Sequence, residues 1–225
     1  MSKPAYVAQQ FEDMEQQTHS ATLGMWAFLA TEVLFFGVLF TAYTVCRTRW
    51  QAQFLEGSRD LKLWLGGVNT AVLLTSSLFM ALAVRAAAAG NNRRLIANLL
   101  ITAVLGVAFL GFKATEYTIE AHEHLVPGIN FTTVPPDEAD KPPAEQHQRP
   151  EQEKLFMIFY FIMTGFHALH MIVGISVMAV LIVLAYRRHF SAEYHSPVEV
   201  AGLYWHFVDI VWVFLYPALY LLRQS

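Results

Sequence analysis

The sequence is poor in cysteine, in clustered basic charge and in anything resembling a leader. Cys46 is the one cysteine among 225 residues, which excludes an intrachain disulfide and any all-thiolate metal centre. It reads as a small residue near a helix end. Lys and Arg number 15 against 18 Asp and Glu, a net charge of −3, and no basic tract is present. Nucleic acid is therefore not expected as a partner. The first twenty residues lack the basic-then-apolar order of a cleavable signal and carry Glu12, Asp13 and Glu15, so the first apolar helix is expected to direct insertion itself. Nor is there an internal repeat, which leaves inverted-repeat transporter folds without support.

What the chain does have is apolar sequence in long blocks: 55% of its residues are hydrophobic and 14% aromatic. Runs long enough to cross about 30 Å of hydrocarbon lie near 22–46, 62–85, 95–118, 155–186 and 199–222. The fold class expected is all-α, a polytopic membrane bundle of five transmembrane helices. A polar N-terminal segment, 1–21, precedes a membrane domain, 22–225, and a polar loop at 119–153 separates the third and fourth spans. The fourth span, at roughly thirty residues, must tilt, kink or protrude. Prolines and charges at 135–143 and 146–150 predict irregular structure in the loop. Its front, Leu125 to Phe131, is apolar enough to pack on the protein or on a neighbouring subunit.

Orientation is weakly encoded. Arg93, Arg94, Arg187 and Arg188 favour a cytoplasmic N-terminus, whereas Arg47, Arg49, Arg59 and Lys62 oppose it. Translocation of the long acidic loop, which is largely indifferent to its charge, tips the balance slightly towards the N-terminus inside.

Ionisable groups within the spans are costly unless paired or solvated, so each calls for a partner or a role. Glu32 stands near the middle of the first span. It is either protonated, or held by a cation or donors from another helix, and both helix packing and proton exchange fit it. Lys113 and Glu116 share one helical face and form a possible ion pair. His167 and His170 repeat that spacing on the fourth span, as do His206 and Asp209 on the last. Three histidines and a carboxylate could in principle meet at one metal, or bond helices across close contacts at Gly165 and Gly174. Glu199 sits at the entry of the last span, where it complements the helix dipole. Trp205, Phe207 and Trp212 suit helix or acyl-chain contacts, and Pro217 should bend the span or free a carbonyl.

Five blocks then carry a resemblance. They are Thr31-Glu32-Val33-Leu34-Phe35-Phe36, Asn69-Thr70, Ala114-Thr115-Glu116-Tyr117, Thr164-Gly165-Phe166-His167-Ala168-Leu169-His170 with Gly174, and Glu199 with Tyr204-Trp205-His206-Phe207-Val208-Asp209-Ile210-Val211-Trp212. In order and across all five spans, they resemble subunit III of the haem-copper respiratory oxidases, the cytochrome c oxidase type. Glu32 then matches that family's carbodiimide-reactive mid-membrane carboxylate.

The resemblance implies a chain without catalytic, metal-binding or cofactor-binding residues of its own. Haem and copper are expected in partner subunits I and II, and structural phospholipids between the helices. The implied role is to stabilise subunit I and support proton uptake, in a bacterial-type cytoplasmic membrane with the N-terminus inside. The longer members have seven spans, of which these five match the last five. The loop at 119–153 departs from the pattern and could serve a further subunit. A quinol oxidase or nitric oxide reductase component is the alternative, and a stand-alone transporter using Glu32, Lys113, Glu116, His206 and Asp209 is a third reading.

Overall fold

A computed structural model describes residues 9–129, 131, 132, 134 and 151–221. These form six helices and no strand: α1 (Met14–Arg49), α2 (Gln51–Asp60), α3 (Leu63–Ala88), α4 (Asn92–His122), α5 (Glu151–Tyr186) and α6 (Ser196–Tyr220). Five of them, all but α2, are long and apolar enough to cross a membrane. In hydrocarbon every backbone group must be satisfied internally, and a helix does this within one segment.

The helices outrun the apolar blocks. α1 starts at Met14, ahead of the apolar run expected from 22, because Glu15, Gln16 and Gln17 are good helix formers that continue the ladder into the polar phase. Asp13 accepts from the Gln16 N–H at 2.7 Å and caps this end. α4 likewise continues through 119–122, residues assigned above to the polar loop, and ends where His124 takes φ 56°. Of that loop, Leu125 is fully buried and Ile129 is 85% exposed, while the proline-rich stretch at 135–150 lies outside the described residues.

Hydropathy alone did not predict α2. It packs Phe54 against the rings of Tyr43 and Phe156, each at 5.6 Å between centroids, and brings Gly57 so close to Phe156 that an added Cβ would stand 2.7 Å from the ring.

The chain divides into two compact units, 1–35 with 72–107 and 170–210, and 36–71 with 108–169 and 211–225, to which each long helix contributes one segment. The core of the first is Trp205, fully buried. Its indole lies against Gly106 and Gly174, where a Cβ would meet it at 2.8 and 2.9 Å. Gly174 thus makes the close contact expected of it. Gly165 does not: nothing lies within 4 Å of its would-be Cβ, because no bulky partner faces that position. In the second unit, Trp212 is 1% exposed, stands edge-on to Phe109 at 4.8 Å and donates from Nε1 to Thr70 Oγ1 at 3.1 Å. α6 runs helical through Pro217, and Ala218 O accepts from the Tyr43 hydroxyl at 2.5 Å.

Candidate functional site

The second unit contains a buried ammonium. Lys113 and Glu116 stand three residues apart on α4, and Lys113 Nζ donates to Glu116 Oε2 at 2.7 Å. An ammonium has three protons to place, and two further acceptors are in range: Tyr160 OH at 2.9 Å and Tyr220 OH at 3.1 Å. Tyr220 OH in turn donates to Glu116 Oε1 at 2.7 Å, so both carboxylate oxygens are engaged. Rings complete the enclosure, with Nζ 4.7 Å from the centroid of Tyr160, 5.0 Å from that of Tyr117 and 5.5 Å from that of Trp212.

Lys113 and Glu116 are 2% and 1% exposed. Stripping two charges of water costs several kcal/mol per ion, and only a full set of bonds offsets it. Glu120, one turn further along α4, is 3% exposed and has no well-formed hydrogen bond, although Tyr160 is beside it. Tyr117 OH shares a hydrogen bond of 2.7 Å with Thr164, whose hydroxyl donates to Tyr160 O at 2.6 Å. His167, 1% exposed, lies among aromatics, its ring 5.1 Å from Trp212 and 5.5 Å from Phe109.

The first unit holds a second set of polar groups. Glu32 on α1 meets His170 on α5, Oε2 to Nε2 at 3.1 Å, with side chains 18% and 16% exposed. Tyr204 on α6 stacks on the His170 ring at 6.5 Å and donates its hydroxyl to His170 O at 2.9 Å. His206 Nδ1 and Ser77 Oγ share a bond of 2.7 Å that ties α6 to α3. Trp205 Nε1 donates to Ser76 Oγ at 3.1 Å, and Ser76 Oγ donates to Thr102 O at 3.3 Å, which extends the chain to α4. Asp209 is 3% exposed beside Ser77 and makes no well-formed hydrogen bond of its own. Glu199, in the first turn of α6, lies 3.3 Å from His195 Nε2. His206 also borders an apolar cavity of about 590 Å³ lined by Trp26, Leu29, Val33, Phe207 and Ile210.

The residues singled out in the sequence therefore separate by partner. His167 sits among aromatics, His170 faces Glu32, and His206 faces Ser77. Among the described residues no three His, Cys, Asp or Glu side chains gather as metal ligands, so the spacing of His167, His170, His206 and Asp209 does not translate into one metal centre. Sequence reasoning missed Tyr160, Ser76, Ser77, Thr102 and His195, and counted Tyr220 only among the aromatics of the last span. Except for His195, which precedes α6, their signal is a hydroxyl on an otherwise apolar helix, and it becomes legible once a charged group needing a partner is known.

The cytochrome c oxidase subunit III family profile matches residues 10–126 and 152–224. Among curated relatives, "Cytochrome c oxidase subunit 3" of Synechocystis sp. is 36% identical over 202 residues, 88% of this chain and 74% of its own length. The protein of the same name from Thermostichus vulcanus is 31% identical over 203 residues, 90% of this chain and 87% of its own. That of Pongo pygmaeus is 32% identical over 205 residues, 88% of this chain and 67% of its own. The profile match takes in residues of all six helices and the clusters just described, and the chain belongs to the cytochrome c oxidase subunit III family.

Proposed function

We propose that this chain is the non-catalytic subunit III of a proton-pumping terminal oxidase fed by cytochrome c. It works beside subunits I and II, which hold the haems and copper, in a bacterial-type cytoplasmic membrane with its N-terminus inside. Its share is to stabilise subunit I, sustain proton uptake and hold structural phospholipid. The polar segment between α4 and α5 serves contact with a further subunit.

The observation that carries this reading is the family match over every span. The polar groups agree with it. Lys113 has its three protons placed on Glu116, Tyr160 and Tyr220, and His206 is bonded to Ser77, arrangements that bind helices to one another. The apolar cavity bordered by Trp26, Phe207 and Ile210 is suited to an acyl chain.

Two measurements test the proposal. The chain purified alone should show no visible haem band and no stoichiometric copper, and either one would overturn the cofactor-free role. The oxidase assembled without the chain should start at near-normal turnover and lose activity faster during turnover. Unchanged persistence of activity would count against the supporting role.

A further inference from the structure

The end of the α3–α4 hairpin that carries its turn is basic. Between residues 72 and 107 the sequence has Arg85, Arg93 and Arg94 and not one Asp or Glu. Three other cations among the described residues have close partners. Lys113 has Glu116, Lys62 has Glu123 at 2.9 Å, and Arg49 lies 5.2 Å over the ring of Trp50. Arg85 and Arg94 form no ion pair among the described residues.

The backbone sets these two arginines around one cleft. Gly90, at φ 66°, allows α3 to close with Asn91 N–H donating to Ala86 O at 2.9 Å, a turn that a residue with a Cβ would adopt only under strain. Asn91 then caps α4, its Oδ1 accepting from the Arg94 N–H at 3.2 Å. Asn92 Nδ2 donates to Ala185 O at 2.7 Å and fixes the start of α4 against α5. The resulting cleft, about 550 Å³, is lined by Arg85 and Leu82 from α3 and by Arg94, Ala97 and Asn98 from α4.

The cleft is amphipathic along its length. Arg85 lies near the end of α3 and Arg94 near the start of α4, where the spans leave the hydrocarbon. Two turns from each arginine, on the same helical face, stand Leu78 and Ile101, which are 58% and 38% exposed. Guanidinium groups at the interface with apolar surface leading inward match a molecule with an anionic head and an acyl tail. Free phosphate would use the first feature and leave the second without purpose.

We infer that the α3–α4 hairpin binds the phosphodiester headgroup of an anionic phospholipid between Arg85 and Arg94, with an acyl chain lying along Leu82, Leu78 and Ile101. The inference rests on the chain lying in a bilayer and not on its role in an oxidase.

The test uses the whole complex in nanodiscs of phosphatidylcholine doped with a photoactivatable phosphatidylglycerol, with labelled peptides mapped by mass spectrometry. Labelling should appear between residues 78 and 101. Its half-saturating lipid fraction should rise on the order of 30-fold in R85Q/R94Q, given about a five-fold contribution from each basic residue near the surface. R85K/R94K should retain most of the labelling, which separates lost charge from lost folding. Three results would each overturn the inference: equal labelling by a phosphatidylcholine probe with the same chains, labelling unchanged in R85Q/R94Q, or displacement of the probe by inorganic phosphate. The last would reveal a free-anion site.

Discussion

The Lys113 cluster and the Glu32–His170 pair are both charged constellations on membrane helices, yet they are built on opposite plans. Lys113 and Glu116 are 2% and 1% exposed, and every proton of the ammonium and both carboxylate oxygens have partners. The Glu32 and His170 side chains are 18% and 16% exposed and share one contact. Only 11% of the apolar stretch of α1, which carries Glu32, is buried, compared with 61% in α6. A closed cluster fixes the packing of its own unit. An open pair remains reachable by lipid, by a neighbouring subunit or by a membrane-soluble reagent. What tells the two apart is how many donors and acceptors the surrounding helices supply.

The largest expected effect lies in the closed cluster. Lys113→Met leaves Glu116 buried without its cation and should cost ~3–5 kcal/mol. That loss should appear as poor accumulation of the complex and a lowered melting transition. Neutralising both partners in K113M/E116L should recover much of it, since an apolar pair of similar volume escapes the desolvation penalty. Additive losses in the double variant would contradict the closed-cluster picture.

Next in size is the glycine contact. Gly174→Val drives a side chain into Trp205 and should cost ~1–3 kcal/mol, read as a lower melting transition. Gly165→Val has open space and should be nearly silent. Equal effects at the two sites would show that helix propensity, and not the Trp205 contact, sets the cost.

Smaller still is Ser77→Ala, which removes one interhelical hydrogen bond to His206 and should cost ~0.6 kcal/mol, near the resolution of a thermal assay. Glu32→Gln should change least. We expect full haem content and most oxidase activity, with a stability change below ~1 kcal/mol. A hydrophobic carbodiimide should label Glu32 ahead of Glu116 because of their difference in exposure. Equal labelling would erase the contrast drawn above.

Long, uniform features were the legible ones. Five apolar blocks announced five helices, and the three-residue spacing of Lys113 and Glu116 places both on one face of α4, where the structure pairs them. Partners distant in the chain were not legible: His170 lies 138 positions from Glu32, and Tyr220 lies 107 from Lys113. Periodicity reports which face a residue occupies and is silent on which face of another helix it meets. Local polarity misled in three places. The start of α1, the end of α4 and the start of α5, at Glu151, looked like segment and loop because hydropathy measures where lipid ends, whereas hydrogen-bond ladders run on past that point. Gly165 misled for the converse reason, since a small residue permits a close approach without requiring one.

Trp205, seated between Gly106 and Gly174, has a consequence for the order of assembly. The indole belongs to α6, and its two seats belong to α4 and α5, which leave the ribosome earlier. Until α6 arrives, the seats form a hollow in which lipid tails or a wrong side chain can lodge. Seating the indole requires α4, α5 and α6 to share one axial register, since a slip of one helical turn in α4 or α5 would carry a glycine out from under the ring.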